Sequence, residues 1–298
     1  MDGILPLWKP KGFTSHDCVS KARGMLRTKK IGHTGTLDPD VEGVLPLCVG
    51  KATKIVPFLT DTDKVYEAKV KLGFSTETED ATGEVLATEQ VNPSLQLEEI
   101  EQILEGFRGE ITQVPPMYSA VKVKGKKLYE YAREGLEVDR PERQVTIKEL
   151  TLLSDEVHHE ECTATFSIRV VCSKGTYIRT LCVDIGQALG YPAHMDTLVR
   201  TRTSDIERAD CYTFDEVQRK VDEGHGEQLL LPISKGLSHL ATWTVNEDLK
   251  PLIKHGRVLD EPEHVKADVF TVQCNGEVLA IYQPHPSKAG KVKPVRVF

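Results

Sequence analysis

The sequence predicts an α+β fold: a mixed, mostly antiparallel sheet flanked by helices, followed by a small C-terminal β-barrel-like unit. Three observations point there. Residues 66–72 alternate apolar and polar, as a half-buried strand does. Residues 97–107 show helical spacing, and strands and helices follow one another irregularly, several strands being adjacent in sequence. Beyond about residue 236 only strand and hairpin signals remain. A chain of 298 residues with 39% hydrophobic content can fill one large core and a smaller one. We read the division as 1–235 and 236–298.

Taken in order, an apolar opening at 4–8 ends in the turn Lys9-Pro10-Lys11-Gly12. Ser15 reads as an N-cap, and Val19, Ala22, Met25 and Leu26 form one face of a short helix that closes before Ile31. A loop punctuated by glycine and proline, IGHTGTLDPDVEGVLP, leads to a helix at 52–59. In the strand at 66–72, Tyr66, Ala68, Val70 and Leu72 share one face, and Glu67, Lys69 and Lys71 the other. Ile100, Ile103, Leu104 and Phe107 line a helix that stops near Gly109.

Val114-Pro115-Pro116 then opens an insertion at about 114–142, rich in Lys, Arg and Tyr. That mixture suits an arm against nucleic acid, and equally a solvated hairpin and helix. Strand-like runs at 145–153 and 162–171 precede a turn at Ser173-Lys174-Gly175. A helix with Ile178, Leu181, Ile185 and Leu189 inward ends at Gly190. Between 221 and 237 the pattern fades into Asp222-Glu223-Gly224-His225-Gly226 and Pro232, which reads as a linker. Runs at 269–274 and 278–282 flank Asn275-Gly276, two residues that tolerate positive φ and so predict a hairpin; a last strand covers 292–298.

The net charge of −7 argues mildly against a nucleic-acid partner. Residues 1–60, however, carry nine Lys/Arg against five Asp/Glu, a balance of +4 that leaves −11 for the rest. No apolar run approaches the roughly 18 residues of a membrane span, and the first ten residues lack a secretory pattern. Seven scattered cysteines without a C-x-x-C pair read as reduced packing residues of a cytoplasmic protein.

Gly43 to Lys51 is no phosphate loop, since six residues separate its glycines and Ala52 follows the lysine. His158-His159-Glu160-Glu161-Cys162 has metal-ligand residue types, but consecutive side chains diverge, and a solvated turn is expected there. The unusual segment is Gly32-His33-Thr34-Gly35-Thr36-Leu37-Asp38-Pro39. Asp38 before proline has an ordinary explanation as a turn former. The glycines at 32, 35 and 43 also let the backbone turn sharply and let a ligand approach.

GHTGTLDP resembles the signature of the TruB family of pseudouridine synthases. Asp63-Lys64-Val65-Tyr66, Ser173-Lys174-Gly175-Thr176-Tyr177-Ile178-Arg179-Thr180 and Leu198-Val199-Arg200 with Arg202 resemble its further motifs, in order and spacing. Met117-Tyr118-Ser119-Ala120 and Gly125-Lys126-Lys127-Leu128-Tyr129-Glu130-Tyr131-Ala132 resemble its RNA-gripping insertion. The likeness runs from residue 3 to about 210, and the tail is similar, more loosely, to the family's RNA-binding PUA domain.

The resemblance implies a cytoplasmic, monomeric enzyme that isomerises uridine 55 in the T-loop of tRNA, touching the T-loop and acceptor arm. It implies no cofactor, no metal and no obligatory protein partner. Asp38 becomes the nucleophile, through attack on uracil C6, attack on ribose C1′ or assisted elimination, three routes the sequence leaves open. Arg179 becomes the permanently charged partner of that carboxylate, and Tyr66 a stacking face with a phenol for proton transfer. Tyr177 and Leu198 line the pocket, His33 fills the space left by the flipped base, and Lys9 is counted among the substrate contacts. Two rivals are an RNA-remodelling binder without chemistry and the catalytic subunit of a guide-RNA-dependent complex.

Overall fold

The computed structural model describes residues 1–298, which form two compact units, Met1–Thr62 with Thr203–Phe298, and Asp63–Arg202. In the first, β1 (Gly3–Lys9) runs antiparallel to β3 (Glu42–Val49) from the pair Gly3 and Val49 to the pair Lys9 and Gly43, and β2 (Ile31–His33) pairs with the end of β3. Helix α1 (Ser15–Met25) buries Cys18, Val19 and Ala22 against Leu5, Leu7, Leu45 and Leu47. Its cap is Thr14, not Ser15. The Thr14 hydroxyl takes the Asp17 N–H at 3.0 Å while the Asp17 carboxylate takes the Thr14 N–H at 2.9 Å, a reciprocal pair that satisfies two of the helix's orphan donors. Ser15 is freed for a different task, described below.

The helix expected at 52–59 is two pieces, a 3-10 turn (Gly50–Ile55) and the short α2 (Val56–Thr60). Pro57 accounts for the break, because it has no N–H to give the Thr53 carbonyl and fits only the first turn of a helix, where it stands in α2.

The second unit begins with β4 (Lys64–Leu72), whose Val65, Ala68, Val70 and Leu72 are buried, and a hairpin of β5 (Phe74–Thr76) and β6 (Val85–Thr88). Helix α3 (Leu97–Glu105) sinks Ile100 and Leu104, and β7 (Gly109–Gln113) leads to the insertion. There β8 (Lys122–Val123) and β9 (Lys126–Lys127) turn at Lys124 and Gly125, both with positive φ, before α4 (Leu128–Arg133). Its aromatics are dressed with cations: Lys127 and Arg133 each lie 5.2 Å from the Tyr129 ring centre and Lys126 4.7 Å from that of Tyr131.

Strand β10 (Arg143–Leu152) follows, then β11 (His158–Glu160), β12 (Thr163–Cys172), α5 (Ile178–Ala188) and β13 (Ala193–Thr203). The unit's sheet has the order β13-β4-β12-β10-β7, antiparallel from β4 through β12 and β10 to β7. The turn expected at 158–162 is shorter than that, since β11 is paired with residues 163–165 of β12.

Returning to the first unit, β14 (Ile206–Glu207) and α6 (Phe214–Asp222) precede 3-10 turns at Gly226–Leu229 and Ile233–Leu237. This stretch is not the linker its composition suggests. Leu231 and Ile4 exchange both backbone hydrogen bonds at 2.9 and 2.8 Å, Leu229 and Leu237 are buried, and Gly236 lies so close to Ile4 and Ile55 that a Cβ would come within 2.6 and 2.7 Å of their Cδ1 atoms.

The tail contains β15 (Ala241–Thr244), α7 (Lys250–Lys254), β16 (Leu259–Asp260), β17 (Phe270–Cys274), β18 (Glu277–Pro284) and β19 (Lys291–Val297). Its sheet has the order β15-β17-β18-β19-β16, parallel only between β15 and β17, with Asn275 and Gly276 at positive φ in the predicted hairpin. The end strands β15 and β16 are not neighbours, so the sheet is a curled half-barrel rather than a closed one.

Candidate active site

Asp38 sits in irregular backbone between β2 and β3, and the chain around it is held from both sides. Ser15, buried, gives one hydroxyl to both polar atoms of Leu37: it accepts the Leu37 N–H at 2.9 Å and donates to the Leu37 carbonyl at 3.3 Å. Lys9, at 0% exposure, reaches the carbonyls of Pro10 at 3.1 Å, Pro39 at 3.0 Å and Val41 at 2.5 Å. The Gly12 N–H also bonds the Pro39 carbonyl at 2.9 Å, and the Val41 N–H closes a turn onto the Asp38 carbonyl at 3.1 Å.

The segment 37–41 is therefore fixed through its main chain, while the Asp38 side chain is half-buried. Gly35 and Gly43, with φ of 107° and 134°, supply the backbone shapes on either side that other residues rarely adopt. Gly32 lies in β2 opposite Cys48, and His33 follows it opposite Leu47. Thr34, fully buried, donates to the Pro46 carbonyl at 3.3 Å.

Of the residues expected in the site, Lys9, His33 and Asp38 belong to the first unit and Tyr66, Tyr177, Arg179 and Leu198 to the second. Tyr66 is half-buried on β4, opposite Val170 of β12, and Leu198 is buried on β13. Tyr177 is the last extended residue before α5, and Arg179, 6% exposed, is on that helix's first turn. A cation at a helix N-terminus opposes the helix dipole, so it needs compensation. Arg179 donates to the Thr78 carbonyl at 2.9 Å and the Tyr118 carbonyl at 3.0 Å, and it lies 4.0 Å from the Asp80 carboxylate.

Sequence reasoning missed the segment that supplies this support, Thr76-Glu77-Thr78-Glu79-Asp80-Ala81-Thr82. The Asp80 carboxylate accepts from Thr78 Oγ1 at 2.6 Å, Thr82 Oγ1 at 2.6 Å and the Thr82 N–H at 2.9 Å. Glu79, at φ 64°, accepts from Thr180 Oγ1 at 2.6 Å, and burial pushes its carboxyl above the usual range. Asp184, further along α5, is pushed up to about 6 by burial, with the Glu79 charge adding to the effect. The readable signal was Asp80 two residues before Thr82, the spacing of an Asx turn.

Comparison with known proteins places this arrangement. Residues 23–178 match the family model described as TruB family pseudouridylate synthase (N terminal domain), and residues 179–238 match tRNA pseudouridylate synthase B C-terminal domain. Proteins named tRNA pseudouridine synthase B are similar end to end: that of Oceanobacillus iheyensis is 57% identical and that of Bacillus subtilis 50%, each over 100% of this chain and 98% of its own. Among solved structures, a chain from an H/ACA ribonucleoprotein bound to a substrate RNA containing 2′-deoxyuridine matches with a TM-score of 0.74 at 25% identity, over 99% of this chain and 84% of its own. One from a Cbf5-Nop10-Gar1 complex matches with a TM-score of 0.72 at 26% identity, over 99% and 83%. The fold is thus the α+β pseudouridine synthase fold, and the chain belongs to the TruB family of pseudouridylate synthases.

Proposed function

We propose that this protein is a stand-alone tRNA pseudouridine synthase that isomerises uridine 55 of the T-loop, with Asp38 as its nucleophile. The reaction breaks the bond between uracil N1 and ribose C1′, joins C1′ to C5, moves a proton onto N1 and releases the C5 proton. It is redox-neutral. The observation that carries the reading is the tethering of residues 37–41 by Ser15 and Lys9, which fixes the backbone that presents the carboxylate. Identity of 50–57% with relatives bearing that enzyme's name supports the substrate class.

In this reading the target base is flipped out of its stack, at a cost of a few kcal/mol. Tyr66 stacks on it and takes part in proton transfer, Tyr177 and Leu198 complete the walls, and His33 takes the vacated place. Arg179 supplies a permanently charged guanidinium to the reaction. Lys9 serves by holding the loop, because its ammonium is wholly buried among carbonyls. The insertion at 114–142 grips the T-loop, and residues 236–298 act as a PUA-like unit toward the acceptor arm. The enzyme works as a cytoplasmic monomer without a cofactor.

Likeness to chains from H/ACA complexes at about a quarter identity favours a guide-dependent rival. One experiment separates them: unmodified tRNA is incubated with the pure protein and its pseudouridines are mapped. Product at position 55 without any guide RNA is expected; product elsewhere, or none until a guide is added, overturns the assignment. In the same assay folded Asp38→Asn forms no detectable product at saturating enzyme, with RNA affinity changed by less than about tenfold, roughly 1.4 kcal/mol. Turnover by that variant within tenfold of the native rate sinks the nucleophile role.

A further inference from the structure

The insertion begins and ends at a single rung of the second unit's sheet. Gln113 closes β7, Arg143 opens β10, and the two are direct cross-strand partners. Both also reach the same residue, Tyr177. Gln113, 1% exposed, donates its Nε2 proton to the Tyr177 carbonyl at 3.1 Å and accepts the Tyr177 N–H on Oε1 at 3.0 Å.

A side-chain amide that occupies both polar atoms of one residue fixes that residue's φ and ψ, and with them the origin of its side chain. Arg143 acts at the other end of Tyr177: its guanidinium lies 5.3 Å from the ring centre, within cation–π range. Its Nη1 reaches the Gly175 carbonyl at 3.5 Å, at the turn that leads into Tyr177. Gly175 has φ 79°, and a Cβ there would come within 3.4 Å of the same Nη1.

We propose that Gln113 and Arg143 are positioning residues for the isomerisation. They set the main chain and the ring of Tyr177 against the flipped uracil. Because the same rung is the neck of the insertion, a shift of the insertion on RNA is passed to that ring through two side chains. The inference rests on the reading of Tyr177 as a wall of the uracil pocket.

The test uses the full-length protein, a T-arm stem-loop carrying C5-tritiated uridine, enzyme in excess, and a separate binding titration. Arg143→Met keeps the aliphatic stem and removes the plane and charge. It is expected to slow single-turnover tritium release by about 10- to 100-fold, the scale of a misplacement near 1 Å, with affinity within about threefold of native. Gln113→Glu keeps the acceptor for the Tyr177 N–H and loses the donor for its carbonyl, and is expected to behave alike. Should that buried change prevent folding, as a thermal melt reports, the half-buried Arg143→Met carries the test alone.

The deciding readout is a double-mutant cycle, which a merely structural role does not satisfy. With the ring removed by Tyr177→Leu, adding Arg143→Met should slow the reaction by less than about twofold further. A fully multiplicative loss in that background overturns the proposal, as does a native rate in Arg143→Met. Weakened binding with a shallower salt dependence overturns it too, since that marks Arg143 as a phosphate contact. Asp38→Asn, run in parallel, keeps the two readings apart. If it turns over, the proposed function fails. If it is dead while Arg143→Met is native-like, only this inference fails.

Discussion

The tethers from Ser15 and Lys9 around Asp38, and from Thr78 and Tyr118 at Arg179, fall on main chain in one case and on a side chain in the other. Around Asp38 the buried tethers of Ser15 and Lys9 go to the main chain of Leu37, Pro39 and Val41. At Arg179 the main chain is already fixed by α5, and the tethers go to the guanidinium, from the carbonyls of Thr78 and Tyr118. In the proposed reading the difference follows from what each group is asked to do. A nucleophile must form and break a bond from a fixed position, so the backbone that presents it is restrained. A guanidinium that never changes protonation works by charge and direction, so holding its head fixes both. Mutagenesis should therefore reach the loop through Ser15 and Lys9, and the arginine through its own fork.

Below the complete loss expected of Asp38→Asn, the largest effect should come from Lys9→Met. The change leaves the Pro10, Pro39 and Val41 carbonyls without their charged donor. Unmade buried hydrogen bonds cost about 1–3 kcal/mol each, and with the Pro39 carbonyl keeping the Gly12 N–H the total should be about 2–4 kcal/mol. Thermal melting should fall by several degrees and single-turnover isomerisation by at least about 100-fold. A variant that melts lower yet reacts at the native rate would show that the loop holds Asp38 without Lys9.

Arg179→Lys asks the same of the other region. Lysine keeps the charge but cannot bridge two carbonyls with one rigid fork. Rate should fall about 10- to 100-fold with RNA affinity nearly unchanged; a native rate would mean that charge alone suffices and direction does not matter. Ser15→Ala comes next, at about 1–2 kcal/mol of stability, because the buried Leu37 N–H loses its partner. Its rate should fall by less than that of Lys9→Met, as checked in the same tritium assay.

How far these supports were legible depended on whether they left a periodic trace. The strand at 66–72, the faces of α1, α3 and α5, and the Asn275-Gly276 hairpin could be read directly, since burial alternates with residue number and turn residues announce themselves. Long-range hydrogen bonds leave none. Ser15 looked like a cap because Ser and Thr are both good caps, and only the Thr14–Asp17 pairing decided between them. Residues 221–237 looked like a linker because their glycines and charges mimic one, while the exchange of bonds between Ile4 and Leu231 spans most of the chain. Asp80 left only the local spacing of an Asx turn, which says nothing of its place beside Arg179. In the candidate site, the family resemblance singled out Lys9, His33, Asp38, Tyr66, Tyr177, Arg179 and Leu198, whereas the tethering by Ser15, the support from residues 76–82 and the bonds Lys9 makes came only from three-dimensional contacts.

The smallest predicted effect concerns Asp184, which shares α5 with Arg179 but belongs to the helix's stability rather than to its chemistry. Burial raises its carboxyl from the ordinary 3.8 to about 6, and the Glu79 charge contributes. Between about pH 4 and 6 the folded chain therefore holds a proton that the unfolded chain has released. Stability linked to this group is complete below pH 4 and is lost as pH rises through 6. Asp184→Asn cannot ionise, so it should melt with the native protein at pH 4 and above it at pH 7.5. The gap should be only about 1 kcal/mol, or roughly 2–4 °C, because the side chain is half-buried and water screens it. Isomerisation at pH 7.5 should stay within about twofold, since the arginine's carbonyl tethers are untouched. Melting curves for the two proteins from pH 4 to 7.5 decide the matter. A gap that is constant with pH would mean that the substitution acts through packing. A gap of opposite sign would mean that the ionised Asp184 is held by a stabilising partner, and that the burial of its charge is not the governing cost.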